Sequence, residues 1–208
     1  MKDSVGVVIA TYGDLKWYEL AKIRALPSVY AQTVHPNRIL QSHAGEHSPA
    51  RARNEGAVLL ETEWIIFLDA DDTLDPGYVQ AMKASQGEIR YPQIRYIETD
   101  GTEGPIQTLH MQSLLHGNFV VVGSMIKRDK FLKSGGFDET LPYWEDWELF
   151  LKLWVQGERL QLVPDAVYNV FRNPEGRNQL TVPDPMDVFE QIRNRHLRKA
   201  IERGLYPA

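Results

Sequence analysis

The sequence has no cysteine among its 208 residues, so it can form neither a disulfide nor a thiolate metal site. This absence is typical of a reducing compartment, and we expect a cytoplasmic protein. No apolar run approaches the roughly 20 residues of a membrane span. The apolar stretch near the N-terminus is also too short for a secretory signal, so we expect no transmembrane segment.

The sequence also lacks an excess of positive charge. Its 23 lysines and arginines are outnumbered by 28 aspartates and glutamates, which gives a formal net charge of -5. Proteins that bind a nucleic-acid backbone usually carry a basic excess, so we do not expect such a partner. Internal repeats and low-complexity segments are absent by inspection, and the function must therefore be inferred from single motifs.

The chain is long enough, and at 43% hydrophobic residues apolar enough, for one substantial core. Residues 5–10 form a nearly continuous apolar run, typical of a strand buried on both faces of a parallel sheet. The further predicted elements are helices at residues 15–25, 50–62, 76–84 and 147–155, strands at 38–41, 64–68, 88–91 and 93–99, and an apolar segment at 119–126. This order predicts an α/β fold with a mixed, mostly parallel central sheet flanked by helices.

An acidic cluster follows the most hydrophobic predicted strand. Alternate residues of an extended segment point the same way, so Asp69 and Asp71 can converge on one ligand. Oxygen ligands of this kind suit Mg²⁺ or Mn²⁺ shared with substrate phosphates. The alternative interpretation is structural: Asp72 or Thr73 could cap the helix that follows, and an acidic triplet in a loop is often only solvated.

A second acidic pair, Glu145 and Asp146, is flanked by the aromatic residues Tyr143, Trp144 and Trp147. Aromatic neighbours can desolvate a carboxylate, which raises its pKa toward a useful value, and they offer faces on which sugars pack. The alternative is that both acids simply favour the first turn of a helix through its dipole.

Basic residues precede the acidic strand by one predicted helix. Arg51, Arg53 and Asn54 could reach a pyrophosphate, or they could lie on a solvated helix surface. His43 and His47 are weaker candidates, because a single histidine in a polar loop is usually only exposed.

Residues 186–204 predict a last amphipathic helix with a basic outer face. We expect a main domain at residues 1–183 and a C-terminal helical segment at residues 184–208 that packs on it. The basic face is either solvated or contacts an acidic partner or an anionic membrane surface.

Several short motifs occur in order along residues 5–172. They are Val8-Ile9-Ala10-Thr11-Tyr12, Ser28-Val29 with Gln32-Thr33 and Pro36, Arg53-Asn54-x-Gly56, Phe67-Leu68-Asp69-Ala70-Asp71-Asp72, Gly135-Gly136-Phe137-Asp138-Glu139, and Glu145-Asp146. In content and order they resemble the motifs of the family 2 glycosyltransferases, which have the GT-A fold. The resemblance implies a metal-assisted, inverting transfer of a sugar from a nucleotide-diphosphate sugar donor to an acceptor hydroxyl.

The resemblance also implies roles for individual residues. Asp146 would be the general base, with Glu145 as the alternative, and Asp71 with Asp69 would hold Mn²⁺ or Mg²⁺ through an Asp-x-Asp (DXD) motif. The expected contacts to the nucleotide sugar are Thr11, Tyr12, Ser42, Arg53, Asp69, Ala70 and Trp144.

Two positions depart from the family pattern. Gln41-Ser42-His43 stands where family members usually place an acidic residue that contacts the base, and Asn173 stands near the position of a late metal-binding histidine. Two alternatives stay open: a sugar-phosphate nucleotidyltransferase, disfavoured because residues 10–14 lack a glycine-rich basic loop, and a non-catalytic nucleotide-sugar-binding module. The acceptor, whether saccharide, lipid-linked sugar, protein or nucleobase, stays open, as does the oligomeric state.

Overall fold

The computed structural model describes residues 2–109, 113–174 and 185–207. Over these ranges the strands are β1 (Val5–Thr11), β2 (Arg38–His43), β3 (Trp64–Asp69), β4 (Thr73–Leu74), β5 (Ile89–Ile97), β6 (Met125–Lys127) and β7 (Leu160–Phe171). The helices are α1 (Leu15–Ile23), α2 (Ala25–Tyr30), α3 (Pro49–Leu59), α4 (Tyr78–Ala84), α5 (Arg128–Lys133), α6 (Glu145–Gln156) and α7 (Pro185–Glu202). The predicted boundary between residues 183 and 184 lies outside the described residues.

The seven strands form one sheet in the order β2-β1-β3-β6-β5-β7-β4. The β1–β2, β1–β3 and β5–β7 pairs are parallel, whereas β6 and β4 run antiparallel to their neighbours. Five strands therefore run one way and two run the other. This arrangement confirms the predicted α/β fold with a mixed, mostly parallel sheet.

The central strands in the first half of the sheet are almost completely buried. Every residue of β1 is buried, as are the first five of β3, as expected for central parallel strands covered on both faces. Helix α3 packs closely on β1 at Gly56, where an added Cβ would overlap with the side chain of Val8. The glycine of the Arg-Asn-x-Gly motif is therefore required by the approach of helix to strand.

The second half of the sheet differs from the prediction in two ways. The two strands predicted around Pro92 are one strand, β5, and only the end of the apolar segment at residues 119–126 is extended, as β6. Strand β7 was not predicted, because Pro164 and Asp165 interrupt its apolar pattern. The register between β5 and β7 shifts next to Pro92, where Pro92 pairs with Val163 and Gln93 with Val167. The residues that interrupt the pattern are thus accommodated as an irregularity rather than ending the strand.

Helix α7 docks on α6. Ile192 and Ala200 are fully buried, and the Phe189 ring stacks on Trp147 with ring centroids 4.7 Å apart. Buried His196 contacts the Glu148 carboxylate at 3.0 Å, so the contact includes a polar pair as well as an apolar face. In the described part of the chain, no helix has the length and hydropathy needed to cross a bilayer.

Candidate active site

A cleft of about 270 Å³ opens at the carboxyl ends of β1, β3, β5 and β7. Open α/β sheets usually bind ligands at this edge. The residues that line the cleft are Ala10, Thr11, Tyr12, Trp17, Pro49, Arg53, Asp69, Ala70, Asp71, Tyr96, Val170, Phe171, Arg172 and Asn173.

The cleft brings together the predicted metal ligand Asp71 and five of the seven residues predicted to contact a nucleotide sugar, namely Thr11, Tyr12, Arg53, Asp69 and Ala70. Ser42 is not among the lining residues. It is buried, and its main-chain carbonyl accepts a hydrogen bond from the Thr11 hydroxyl at 3.1 Å. The Thr11 hydroxyl also contacts Nδ1 of His43 at 3.1 Å, so β2 supports β1 at this position from behind.

Arg53 connects the two acidic clusters. Its guanidinium donates to Oδ1 of Asp69 at 2.5 Å and to Oε1 of Glu145 at 2.7 Å, and the side chains of Arg53 and Glu145 are 4% and 1% exposed. Burial alone would lower the pKa of Arg53, but the two carboxylates reverse this effect and hold the pKa above its ordinary value. The cation is therefore permanent, and it fixes the start of α6 against the end of β3.

The strand cluster, which we define as Asp69, Asp71 and Asp72, concentrates negative charge at the end of β3. Burial and then the charge of Asp69 raise the pKa of Asp71. Burial and the charges of Asp71 and Asp69 raise the pKa of Asp72 well above its usual range, although the Phe171 N–H donates to its Oδ1 at 2.9 Å. Carboxylates that oppose each other's ionisation in this way favour a bound cation.

The oxygen donors of this cluster fit a divalent ion shared with a ligand. Within the described ranges, no group of three or more His, Cys, Asp or Glu side chains is close enough to hold a metal. Asp69 and Asp71 both line the cleft, and two carboxylates completed by phosphate oxygens and water are sufficient for Mg²⁺. Asn173, which stands near the position of the family's late histidine, donates to Oδ2 of Asp71 at 3.3 Å.

The helix cluster, which we define as Glu145 and Asp146, lies at the start of α6. The preceding residue, Trp144, has a left-handed backbone with φ 62°, an uncommon conformation for a bulky residue and one that often marks functional sites. Asp146 is half-buried, and its Oδ1 accepts from the Trp147 N–H at 2.8 Å. The Trp144 ring packs edge-on against Trp147 and against Phe189 of α7. Trp144, Glu145 and Asp146 are not among the residues that line the cleft.

Asn54 joins α3 to the Gly-Gly-Phe-Asp-Glu turn. Its side-chain amide accepts from the Phe137 N–H at 2.9 Å and donates to the Phe137 carbonyl at 3.0 Å. Gly136 has φ 71°, and a Cβ there would overlap with the Asn54 amide. Neighbouring residues of one motif thus have separate roles, since Arg53 binds the acidic clusters and Asn54 holds the turn.

Several residues at the cleft have contacts that the sequence motifs did not predict. Tyr96 lies on β5 beneath the Arg172 guanidinium, 4.2 Å from it, and Arg24 donates to the Asp71 carbonyl at 3.1 Å. Arg24 also lies 4.4 Å above the Phe171 ring. Tyr96 could have been found only from the strand order, which places the carboxyl end of β5 beside that of β7.

Comparison with known proteins identifies the family. Residues 28–137, slightly more than half of the chain, match the family described as glycosyl transferase family 2. The chain belongs to this family. The pre-mycofactocin glycosyltransferases of two Mycobacterium tuberculosis strains are 28% identical over 146 residues, an alignment that covers 60% of this chain. The chain spans only 30% of the length of these relatives.

Solved structures share the fold. The structure of S. aureus TarS 1–349 in complex with UDP-GlcNAc superposes with a TM-score of 0.71 at 14% identity, covering 95% of this chain and 66% of that one. TarS 1–349 in complex with UDP gives a TM-score of 0.62 at 15% identity, covering 96% and 72%. At these identities the likeness concerns the fold, and it confirms the predicted GT-A architecture of this family 2 chain.

Proposed function

We propose that this chain transfers a sugar from a nucleotide-diphosphate sugar to an acceptor hydroxyl by a single displacement that inverts the anomeric centre. The observation that carries the proposal is the Asp69–Arg53–Glu145 bridge. It joins the acidic end of β3, where a metal-bound diphosphate would lie, to the start of α6, where Asp146 follows directly. The buried Arg53 guanidinium therefore holds both the carboxylate proposed to bind the metal and the residue next to the proposed base.

The cleft and the solved neighbours support the proposed class of donor. TarS structures contain UDP-GlcNAc or UDP, which supports a nucleoside diphosphate sugar as donor here. The Tyr12 and Trp17 side chains at the cleft offer rings beside which a base can pack, and Arg172 offers a cation. Membership of family 2 disfavours the nucleotidyltransferase alternative. The cytoplasmic location and the division of the chain near residue 183 stay predictions.

Asp69 and Asp71 would hold Mn²⁺ or Mg²⁺. The ion, when bound, offsets the negative charge of the departing diphosphate. Asn173 would orient the Asp71 carboxylate through the hydrogen bond to its Oδ2. Arg53 fixes the Asp69 carboxylate in the same way.

We assign the general base to Asp146 rather than Glu145. Glu145 is buried and committed to the Arg53 ion pair, whereas Asp146 is half-buried. In the displacement, the acceptor oxygen bonds to the anomeric carbon while the bond from that carbon to the diphosphate oxygen breaks. The hydroxyl proton passes to the Asp146 carboxylate.

A donor screen tests the proposal. Thermal unfolding is measured with uridine, guanosine and thymidine diphosphates, each in Mn²⁺ and in EDTA, and hydrolysis of the matching nucleotide sugars is followed. We expect stabilisation that needs the cation, because a ligand that binds only the folded state raises its stability. Because Ser42 is buried and does not line the cleft, we also expect weaker discrimination among the bases than an acidic contact would give.

Asp71→Ala should abolish the cation-dependent part of that stabilisation, while Asp100→Ala, in an exposed turn, should leave it unchanged. Equal, metal-independent binding by wild type and Asp71→Ala would contradict the cation site. Absence of binding and hydrolysis with every nucleotide sugar would contradict the proposed activity.

A further inference from the structure

The loop at residues 113–120 is attached to the start of α6 at two points. The Trp147 indole N–H donates to the Leu114 carbonyl at 2.7 Å, and the Asn118 amide donates to Oδ2 of Asp146 at 3.0 Å. Leu114 and Leu115 are buried in the core, so they anchor the loop from below. The loop therefore has a defined position relative to the Asp146 carboxylate.

The orientation of the Asn118 amide is determined by its other hydrogen bond. Its Oδ1 accepts from the Val120 N–H at 3.1 Å, which leaves the NH₂ group to face Asp146. The second carboxylate oxygen of Asp146 accepts from the Trp147 N–H at 2.8 Å. Donors from two different segments thus act on the two oxygens of one carboxylate.

Two donors on one carboxylate have a geometric and an electrostatic effect. They restrict rotation of the group, which keeps it in one orientation for proton transfer. Hydrogen bonds to the charged form of a carboxylate also favour that form, and a general base must be charged to accept a proton.

We propose that Asn118 is a positioning residue for Asp146, whose carboxylate it holds in one orientation for proton transfer. The inference rests on the proposed function, in which Asp146 is the general base. Asn118 acts through Asp146, so its loss should change the rate and its pH dependence rather than nucleotide binding.

The contact is tested first without any substrate, by a double-mutant cycle in thermal stability at pH 7. Asn118→Ala should lower the melting temperature of the wild type by more than it lowers that of Asp146→Ala, because in the second background the bond to Asp146 is already missing and only the bond from the Val120 N–H is lost. Fully additive losses would overturn the inference. His116→Ala, an exposed change in the same loop, is the matched control and should be additive with Asp146→Ala.

Kinetics with the nucleotide sugar selected by the donor screen test the role. Asn118→Ala should lower kcat about 10- to 100-fold, the usual cost of a misplaced reacting group, with KM for the donor unchanged. The acid limb of the pH–rate profile should move to higher pH. Asn118→Asp should move it further, because a second carboxylate disfavours the charged base. His116→Ala should leave both quantities at their wild-type values.

Two outcomes separate failure of this inference from failure of the proposed function. If Asp146→Asn is inactive while Asn118→Ala keeps the wild-type kcat and pH profile, the positioning role of Asn118 is overturned and the base assignment stands. If Asp146→Asn keeps the wild-type rate, the assignment of the base to Asp146 is overturned, and the inference about Asn118 with it.

Discussion

The strand cluster and the helix cluster contain the same kind of side chain in opposite electrostatic settings. In the strand cluster, burial and then the charges of neighbouring carboxylates raise the pKa values of Asp71 and Asp72. In the helix cluster, each acid has a donor, since Glu145 pairs with Arg53 and Asp146 with Asn118. Crowded carboxylates are suited to receive a cation, whereas separately hydrogen-bonded ones are suited to hold a defined orientation.

The largest expected effect tests the helix cluster at its proposed base. Asp146→Asn should lower sugar transfer by about two to four orders of magnitude, the usual contribution of a positioned general base, because the amide cannot accept the proton. Fold and nucleotide affinity should be retained. Circular dichroism, nucleotide titration and single-turnover rates would measure the three properties.

Glu145→Gln is the paired variant for this prediction. If it is inactive while Asp146→Asn turns over normally, the base is Glu145 and the displacement mechanism survives. Normal turnover by both variants would require a different mechanism.

The second prediction breaks the bridge between the clusters. Arg53→Ala should lower the free energy of unfolding by about 3–5 kcal/mol, because it leaves buried Glu145 and part-buried Asp69 without their cation. Arg51→Ala, two residues away on the exposed face of α3, should leave stability nearly unchanged. Urea denaturation of both variants measures the difference. An equal loss of unfolding free energy in the two variants would contradict a special stabilising role for the Asp69–Arg53–Glu145 bridge.

The third prediction concerns Glu148, which supports the helix cluster from within α6. Burial alone would raise its pKa, but His196 and Lys152 together lower it below the ordinary 4.5. A lowered folded-state pKa means that the carboxylate stabilises the fold above pH 4.5 and that this contribution is lost as the pH falls through the folded-state pKa. Arg195 also faces this carboxylate, at 3.6 Å.

Glu148→Gln should therefore cost about 1–3 kcal/mol at pH 7, and the cost should shrink as the pH falls below 4.5. Melting curves of the wild type and the variant between pH 7 and pH 3 would show the two converging. A constant separation over that range would contradict the assignment of the stabilisation to charge.

The smallest expected effect has the opposite sign and belongs to the strand cluster. Because the folded-state pKa of Asp71 lies above its ordinary 3.8, ionisation costs stability as the pH rises from 3.8 through the folded-state value. Asp71→Asn should therefore raise the melting temperature in EDTA at pH 7, by about 2–4 °C if the gain is near 1 kcal/mol. The same variant should lose the stabilisation by Mn²⁺ and nucleotide. A lowered melting temperature in EDTA would contradict the conclusion that the ionised Asp71 carboxylate destabilises the fold when no cation is bound.

The two clusters also differ in how far the sequence predicted their surroundings. Asp69 and Asp71 follow an uninterrupted apolar strand, so their place at the sheet edge was predictable from local pattern. Strand β7 could not be predicted from local pattern, because Pro164 and Asp165 interrupt it. Its pairing with β5 also depends on residues about 70 positions away. Tyr96 and Arg172 were missed as cleft residues for the same reason.

The partners of the helix cluster could not be predicted from local pattern either. Local pattern gives the start of α6, but the identity of the group opposite each acid is set by tertiary packing. Glu145 meets Arg53 across 92 positions, and Asp146 meets Asn118 across 28. The family motifs include the acids and Arg53, whereas Asn118 lies outside every one of these motifs.

The long-range pairing of β7 also has a consequence for synthesis of the chain. Strands β1 to β3 can associate once residue 69 is available, but Phe171 to Asn173, which form the opposite wall of the cleft, are made about a hundred residues later. At the usual 5–20 residues per second, that delay is roughly 5 to 20 seconds. For much of this time the edge of β5 awaits β7, and unpaired edges recruit other chains. We therefore expect variants that weaken β5–β7 pairing to be recovered as aggregates from nascent chains.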